Sequence, residues 1–123
     1  MSLKEMTRVS VMARRNPAMS LEEFQKYLKE SHGPLVAPWL KRYGVVKYVQ
    51  HHKREAFSRD GSPIKALELG DFDSLADFYV PSYADFEKAF KDPEYFEKIK
   101  PDEEKILDME SVVIVVGVNH EVI

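Results

Sequence analysis

His32 is the residue whose type and position most directly suggest chemistry. It follows Leu21, Phe24 and Leu28 at helical spacing, so its imidazole shares the apolar stripe that must face the core. Imidazole groups transfer protons near neutral pH. A histidine at a helix end beside an apolar cavity therefore predicts general acid–base catalysis. The alternative is structural: the ring hydrogen-bonds the last carbonyls and supports the helix C-terminus.

A second group of polar residues, Tyr48, Gln50 and His52, alternates along a predicted strand and shares one face of it. Buried polar groups need partners, which a bound carbonyl, phenol or carboxylate would supply. We predict Tyr48 and His52 as catalytic residues beside His32, and Gln50 as a substrate-binding residue. Alternatively, the row lies at a solvent-exposed strand edge, or its members pair with one another.

Other residues are candidates for binding. Trp39 and Tyr79 are predicted to contact an aromatic substrate, although aromatic side chains at such positions are more often simple core. Glu68 is expected to point toward a partner sheet. His51 points away from His52, and the chain has neither a cysteine nor an HExxH motif, so no metal site is predicted.

Periodicity and helix breakers predict the elements that hold these residues. The Ser20–Glu23 capping box starts a helix that Gly33 and Pro34 end. A second helical run follows over 35–43, and Ser74 caps a helix that Pro81 interrupts. A further helical run extends from Pro93 to Ile106, with a bend at Pro101. Strands are predicted at 7–14, 45–53, 64–71 and 111–119, and a loop at 54–62.

The resulting order, β-α-β-β-α-β, predicts an α+β, ferredoxin-like, four-stranded antiparallel sheet with helices on one face. The last strand is apolar on both faces, which predicts a central strand covered twice. The bare face of such a sheet exposes more apolar surface than soluble monomers usually carry. We therefore expect a homodimer in which two sheets close against each other about a two-fold axis.

The composition limits the functional classes to which the chain can belong. The 123 residues fit a single domain, 1–123, and 44% hydrophobic with 32% charged residues is ordinary for a globular protein. A net charge of −3 gives no basic field for nucleic acid. The longest apolar run, 112–118, is too short to cross a membrane, and the first residues lack a signal-peptide core. The expected location is cytoplasmic.

Four segments together resemble a known family. They are Ser20-Leu-Glu-Glu-Phe24 running to Ser31-His32-Gly33-Pro34-Leu35; Tyr48-Val49-Gln50-His51-His52; Leu67-Glu68-Leu69 through Phe72-Asp73-Ser74-Leu75; and Asp92-Pro93-Glu94-Tyr95 onward to Pro101-Asp102-Glu103-Glu104. In this combination the chain resembles the EthD-like proteins of the dimeric α+β barrel superfamily. It departs from their pattern at 79–85, around Pro81, where it has added residues.

The resemblance implies a cofactor-free enzyme that acts on an aromatic or polyketide-like molecule. Our leading hypothesis is a lyase, a decarboxylase or dehydratase, in which His32 moves a proton while Tyr48, Gln50 and His52 stabilise the oxygen that gains charge. The enzymatic alternatives are a cofactor-free monooxygenase and a cyclase or isomerase on a phenolic substrate. The alternative from another class is a dimer that binds a small aromatic ligand without changing it.

Overall fold

The computed structural model describes residues 5–65 and 71–123. These residues form four strands and four α-helices, and a short π-helical turn precedes α2 and another precedes α4. The elements are β1 (Thr7–Arg15), α1 (Leu21–Tyr27), a first π-helical turn (Leu28–His32), α2 (Gly33–Arg42), β2 (Lys47–His52), β3 (Ser74–Val80), α3 (Tyr83–Ala89), a second π-helical turn (Tyr95–Ile99), α4 (Lys100–Ile106) and β4 (Leu107–Val118).

The four strands form one antiparallel sheet with the order β2-β3-β1-β4. The predicted ferredoxin-like sheet is therefore confirmed. Val9 of β1 lies opposite Phe78 of β3, and Phe78 lies opposite Tyr48 of β2. Since side chains alternate along a strand, all three share the face that the helices cover. Their neighbours Arg8 and Tyr79 point to the other, open face.

Both π-helical turns lie immediately before a proline-containing helix start. The Gly33 N–H donates to the Leu28 carbonyl, and the Lys100 N–H donates to the Tyr95 carbonyl, each five residues earlier. Pro34 and Pro101 follow directly, and because proline has no N–H, neither donates a hydrogen bond back into the widened turn. The predicted helix end at Gly33 and Pro34 is therefore wrong, because the helix widens for one turn and then continues.

The third strand of the sheet lies later in the chain than predicted. The predicted strand 64–71 falls largely outside the described residues, as does Glu68 within it. The segment predicted as a helix after Ser74 is instead β3, hydrogen-bonded on both sides to β1 and β2. Pairing with two neighbours outweighs the helix-cap signal of Ser74, and Pro81 ends a strand rather than interrupting a helix.

The last strand is an edge strand, not the predicted central one. β4 pairs with β1 alone among the described strands, and its valines stay partly open to solvent. Val113 and Val115 lie on the open face, opposite Met12 and Ser10. An apolar strand at a sheet edge is a surface that another molecule can cover.

A buried ion cluster fixes one end of the sheet. Asp73, 1% exposed, accepts from the Arg15 backbone N–H at 2.9 Å and from Arg15 Nη1 at 2.8 Å. Lys53 Nζ lies 3.0 Å from the same Asp73 carboxylate and also pairs with the buried Asp71. This cluster links the end of β1, the end of β2 and the segment before β3.

Candidate active site

A cavity of about 200 Å³ lies between the covered face of the sheet and the helices. Its walls are mostly aliphatic and aromatic, with Val11, Phe78 and Ile114 from the sheet and Val36 and Phe86 from the helices. Among the described residues, four titratable side chains also line it: His32, Tyr48, Tyr95 and Glu103. A cavity of about 150 Å³ can hold benzene, so this cavity has room for one aromatic ring.

His32 enters the cavity from the end of the first π-helical turn. Its Nδ1 lies 2.8 Å from Asp102 Oδ2, and both side chains are largely shielded, at 12% and 13% exposed. The other Asp102 oxygen accepts a hydrogen bond from the Tyr27 hydroxyl. An ionised carboxylate only accepts, so Nδ1 carries a proton and the Nε2 lone pair of a neutral ring is left for a ligand. This is a histidine held in one tautomer by a carboxylate.

Tyr48 lies at the cavity end of a hydrogen-bonded row on β2. Gln50 Nε2 donates to the Tyr48 hydroxyl at 2.9 Å and to the Leu28 carbonyl at 2.9 Å. Gln50 Oε1 lies 2.9 Å from His52 Nε2. Both Gln50 amide protons are thus engaged, and Tyr48, as acceptor, keeps its own proton for an oxygen in the cavity. Burial raises the pKa of the Tyr48 hydroxyl, which therefore remains a donor.

Gly33 makes room for this row. A β-carbon at Gly33 would lie 3.0 Å from Gln50 Nε2 and 3.0 Å from the Leu28 carbonyl oxygen, the two atoms that hydrogen-bond each other. Larger side chains would push the amide away from the π-helical turn. The close approach between β2 and the helix therefore favours glycine at this position, independently of any helix end.

Glu103 faces the same cavity from the first turns of α4. The Tyr95 hydroxyl donates to Glu103 Oε1 at 2.6 Å. Burial raises the pKa of the Glu103 carboxyl above its ordinary value, while the Tyr95 hydrogen bond and the positive charge of His32 offset part of that rise. Burial and the Glu103 carboxylate likewise raise the pKa of Tyr95.

These groups act on one another across the cavity. The charge of His32 influences the ionisation of Glu103, and the charge of Glu103 influences that of Tyr48. The site therefore combines a base with a free lone pair, a phenol donor and a carboxyl in a mostly apolar space. Such a set can remove a proton from an acidic carbon and donate hydrogen bonds to the oxygen that becomes negative.

The predicted site residues divide into three groups. His32, Tyr48 and Trp39 line the cavity, and Trp39 is fixed by a hydrogen bond from its Nε1 to the Ala89 carbonyl at 3.1 Å. Gln50 and His52 do not line it; they continue the row behind Tyr48, and burial lowers the pKa of His52. Tyr79 was expected to contact substrate, but the strand alternation that places Phe78 in the cavity sends Tyr79 to the open face.

Three site residues were missed as candidates: Tyr95, Asp102 and Glu103. Asp102 and Glu103 belong to the Pro101-Asp102-Glu103-Glu104 segment that carries part of the family resemblance, but no local pattern indicates that Asp102 contacts His32 or that Tyr95 and Glu103 line the cavity. Within 5–65 and 71–123, no cluster of three or more His, Asp or Glu side chains could hold a metal ion. No helix of the described part is long and apolar enough to cross a bilayer.

Known proteins resemble this chain in sequence. The EthD domain profile matches residues 16–110. A conidial pigment biosynthesis dehydratase, EthD, from Metarhizium robertsii is 28% identical over 113 residues, covering 89% of this chain and 79% of the fungal protein. The decarboxylase claH of Passalora fulva is 21% identical over 112 residues, covering 89% of this chain and 73% of its own length.

A solved structure agrees on the fold. The crystal structure of an EthD-like protein from Ralstonia eutropha JMP134 superposes with a TM-score of 0.62 at 19% identity, covering 98% of this chain and 95% of that one. Distant relatives of the chain are thus fungal dehydratases and decarboxylases, and a bacterial EthD-like protein shares its architecture. Because the domain profile spans most of the sequence, from the turn after β1 into β4, the protein belongs to the EthD domain family.

Proposed function

We propose that the protein is a cofactor-independent lyase that dehydrates or decarboxylates a small aromatic or polyketide-like molecule. The observation that carries the proposal is the His32–Asp102 pair, because His32 lines a mostly apolar cavity that Tyr48 also lines. Both reactions need a base or acid at carbon and a donor at a neighbouring oxygen. Both can be served by side chains alone.

Each residue has a distinct role in this proposal. Asp102 accepts from His32 Nδ1 and holds the ring so that Nε2 takes a proton from the substrate. Tyr48 donates its hydrogen bond to the carbonyl or phenol oxygen that gains negative charge. Gln50 and His52 act through Tyr48 by fixing the direction of its hydroxyl, so they are positioning residues rather than substrate contacts.

The cavity limits the substrate. About 200 Å³ accommodates one substituted ring, so a larger polycyclic molecule would have to extend beyond it. The aromatic walls from Trp39, Phe78 and Phe86 favour a flat, apolar ring. Relatives named as a dehydratase and a decarboxylase support the same reaction class at 28% and 21% identity.

Two single-ring probes test the proposal. The aldol adduct of benzaldehyde and acetone loses water to a strongly absorbing enone, and β-resorcylic acid loses carbon dioxide to give resorcinol. We expect turnover of at least one, and a fall of about 10²- to 10⁴-fold in His32→Gln. His120→Gln, a histidine exposed in the C-terminal tail, is the matched control and should leave turnover unchanged.

Three results separate the alternatives. Equal turnover by His32→Gln and the native protein would overturn the catalytic role of His32. Oxygen consumption in step with probe loss would favour the cofactor-free monooxygenase. Trp39 is the single tryptophan of the chain and lines the cavity, so its fluorescence reports whether a ligand is bound there. If both probes quench this fluorescence and neither is converted to product, the result would favour the ligand-binding dimer.

We also propose that two copies pair through the open face of the sheet. Val49, Val113 and Val115 on this face are 40%, 42% and 52% exposed, a degree of exposure that a partner would remove. The Arg8–Asp77 ion pair at 2.8 Å lies among them and would give the interface a fixed polar centre. Light scattering should give twice the mass of one chain, and the mass of a single chain would contradict the proposal.

A further inference from the structure

The Glu103 carboxyl is the one acidic side chain that lines the cavity within the described residues, and the roles given above do not use it. Tyr95 donates to its Oε1, while Oε2 has no hydrogen-bond partner in the part of the chain that the structure describes. A carboxyl group that lines a mostly apolar cavity with one oxygen unpartnered is unfavourable as a charge and is favoured as a neutral acid.

The surroundings favour the neutral acid. Burial in the cavity raises the pKa of Glu103, and the negative charges of its neighbours Asp102 and Glu104 raise it further. The hydrogen bond from Tyr95 and the charge of His32 act in the opposite direction, and the pKa nevertheless stays above the ordinary value. Glu103 therefore keeps its proton to a higher pH than an exposed glutamic acid.

The residues near Glu103 indicate which reaction the Glu103 proton could assist. His32 offers a lone pair, Tyr48 offers a hydrogen bond, and both interact electrostatically with Glu103 across the cavity. Elimination of water from a β-hydroxy carbonyl compound uses a base at carbon and is accelerated by an acid at the departing oxygen, because hydroxide is a poor leaving group. Decarboxylation releases neutral carbon dioxide, so its leaving group needs no acid.

We propose that Glu103 donates a proton to a departing hydroxyl, and that the substrate is a β-hydroxy carbonyl compound which the enzyme dehydrates. This inference rests on the proposed lyase function and narrows it to one reaction. His32 Nε2 takes the proton from the carbon beside the carbonyl, and those C–H electrons form the new C=C bond. The C–O bond breaks, and the hydroxyl takes the Glu103 proton and leaves as water. The proton on His32 then returns to Glu103 through solvent, restoring both groups.

The first test compares Glu103→Gln with Glu97→Gln. Glutamine keeps the shape and the Tyr95 hydrogen bond but has no acidic proton. With the benzaldehyde–acetone aldol as probe, Glu103→Gln should lose about 10²- to 10⁴-fold in turnover. Glu97 is exposed in the second π-helical turn and does not influence the Glu103 pKa, so Glu97→Gln should retain native turnover. Quenching of Trp39 by the probe checks that both variants still bind it.

The second test uses a readout that a purely structural role would not change. If Glu103 must be protonated, native turnover falls as the pH rises through the Glu103 pKa. Tyr95→Phe removes a hydrogen bond that lowers this pKa, so the alkaline fall should move to higher pH. Carbon-13 NMR of the Glu103 carboxyl should show the same upward movement without any substrate.

The possible results are decisive. A Glu103 carboxyl that titrates in the range of exposed glutamates would overturn the donor role, and so would native turnover by Glu103→Gln. Conversion of β-resorcylic acid but not of the aldol would overturn the substrate class and leave the lyase proposal intact. Loss of aldol turnover in Glu103→Gln with full turnover in His32→Gln would instead refute the proposed base and retain the acid.

Discussion

Replacing Asp102 by asparagine tests whether a carboxylate must hold His32. The Asp102 carboxylate accepts from both His32 Nδ1 and the Tyr27 hydroxyl, with one oxygen for each. An amide of the same size has only one acceptor oxygen. If the amide nitrogen faces Nδ1, the ring must carry its proton on Nε2, and the lone pair that faces the cavity is lost.

The expected loss follows from this geometry. Without a base in the correct tautomer, turnover should fall by about 10²- to 10⁴-fold, which corresponds to about 3 to 5.5 kcal/mol of transition-state stabilisation. Stability should fall by no more than about 3 kcal/mol, the range for one hydrogen bond to a charged group. Turnover of the aldol probe and urea unfolding measure the two effects separately.

Tyr27→Phe is the matched control, because it removes the other hydrogen bond to the same carboxylate and leaves the His32 contact in place. It should cost a similar amount of stability but change turnover less than about tenfold. If Asp102→Asn reduces turnover no more than Tyr27→Phe does, the carboxylate only supports the helix end, and the catalytic reasoning for His32 is refuted.

Three further predictions concern stability and assembly. Asp73→Ala leaves two largely shielded cations, Arg15 and Lys53, without their shared carboxylate and should lower the free energy of unfolding in urea by about 3 kcal/mol or more. Asp85→Ala, in an exposed pair, should lower it by under about 1 kcal/mol. Val115→Lys on the open face should convert the proposed dimer to single chains in light scattering, while Val122→Lys in the tail should not. Burial disfavours ionised Glu103, so the free energy of unfolding of the native protein should decline relative to that of Glu103→Gln as the pH rises through the Glu103 pKa. The same pH dependence of unfolding in both proteins would contradict this.

Local patterns predicted the parts of the site that depend on periodicity. Helical spacing from Leu28 predicted that His32 faces the core, and strand alternation predicted that Tyr48, Gln50 and His52 share a face. Both are confirmed by the structure. Alternation alone did not show that only Tyr48 reaches the cavity, since the Gln50 amide is drawn to the Leu28 carbonyl on a helix far away in the sequence.

The incorrect predictions have a common physical cause, because tertiary contacts outweighed local sequence signals. Ser74 carries a good helix-cap signal, yet the segment that follows it pairs with strands on both sides and forms β3. β4 is apolar on both faces, but its position at the sheet edge depends on strand order rather than on its own composition. The pairing of Asp102 with His32 across 70 positions leaves no local pattern to detect.

The helix-breaking pair Gly33-Pro34 contributes to the geometry of the site. Four residues of an α-helix rotate by about 40° more than a full turn. Side chains spaced by four therefore shift steadily around the helix surface. His32, Val36 and Leu40 nevertheless all line the cavity, and Leu28 before them is buried. The π-helical turn that ends at His32 rotates less per residue and offsets part of this drift. The widened turn before Pro34 therefore lets one continuous helical segment direct both its imidazole and its apolar side chains into the same space.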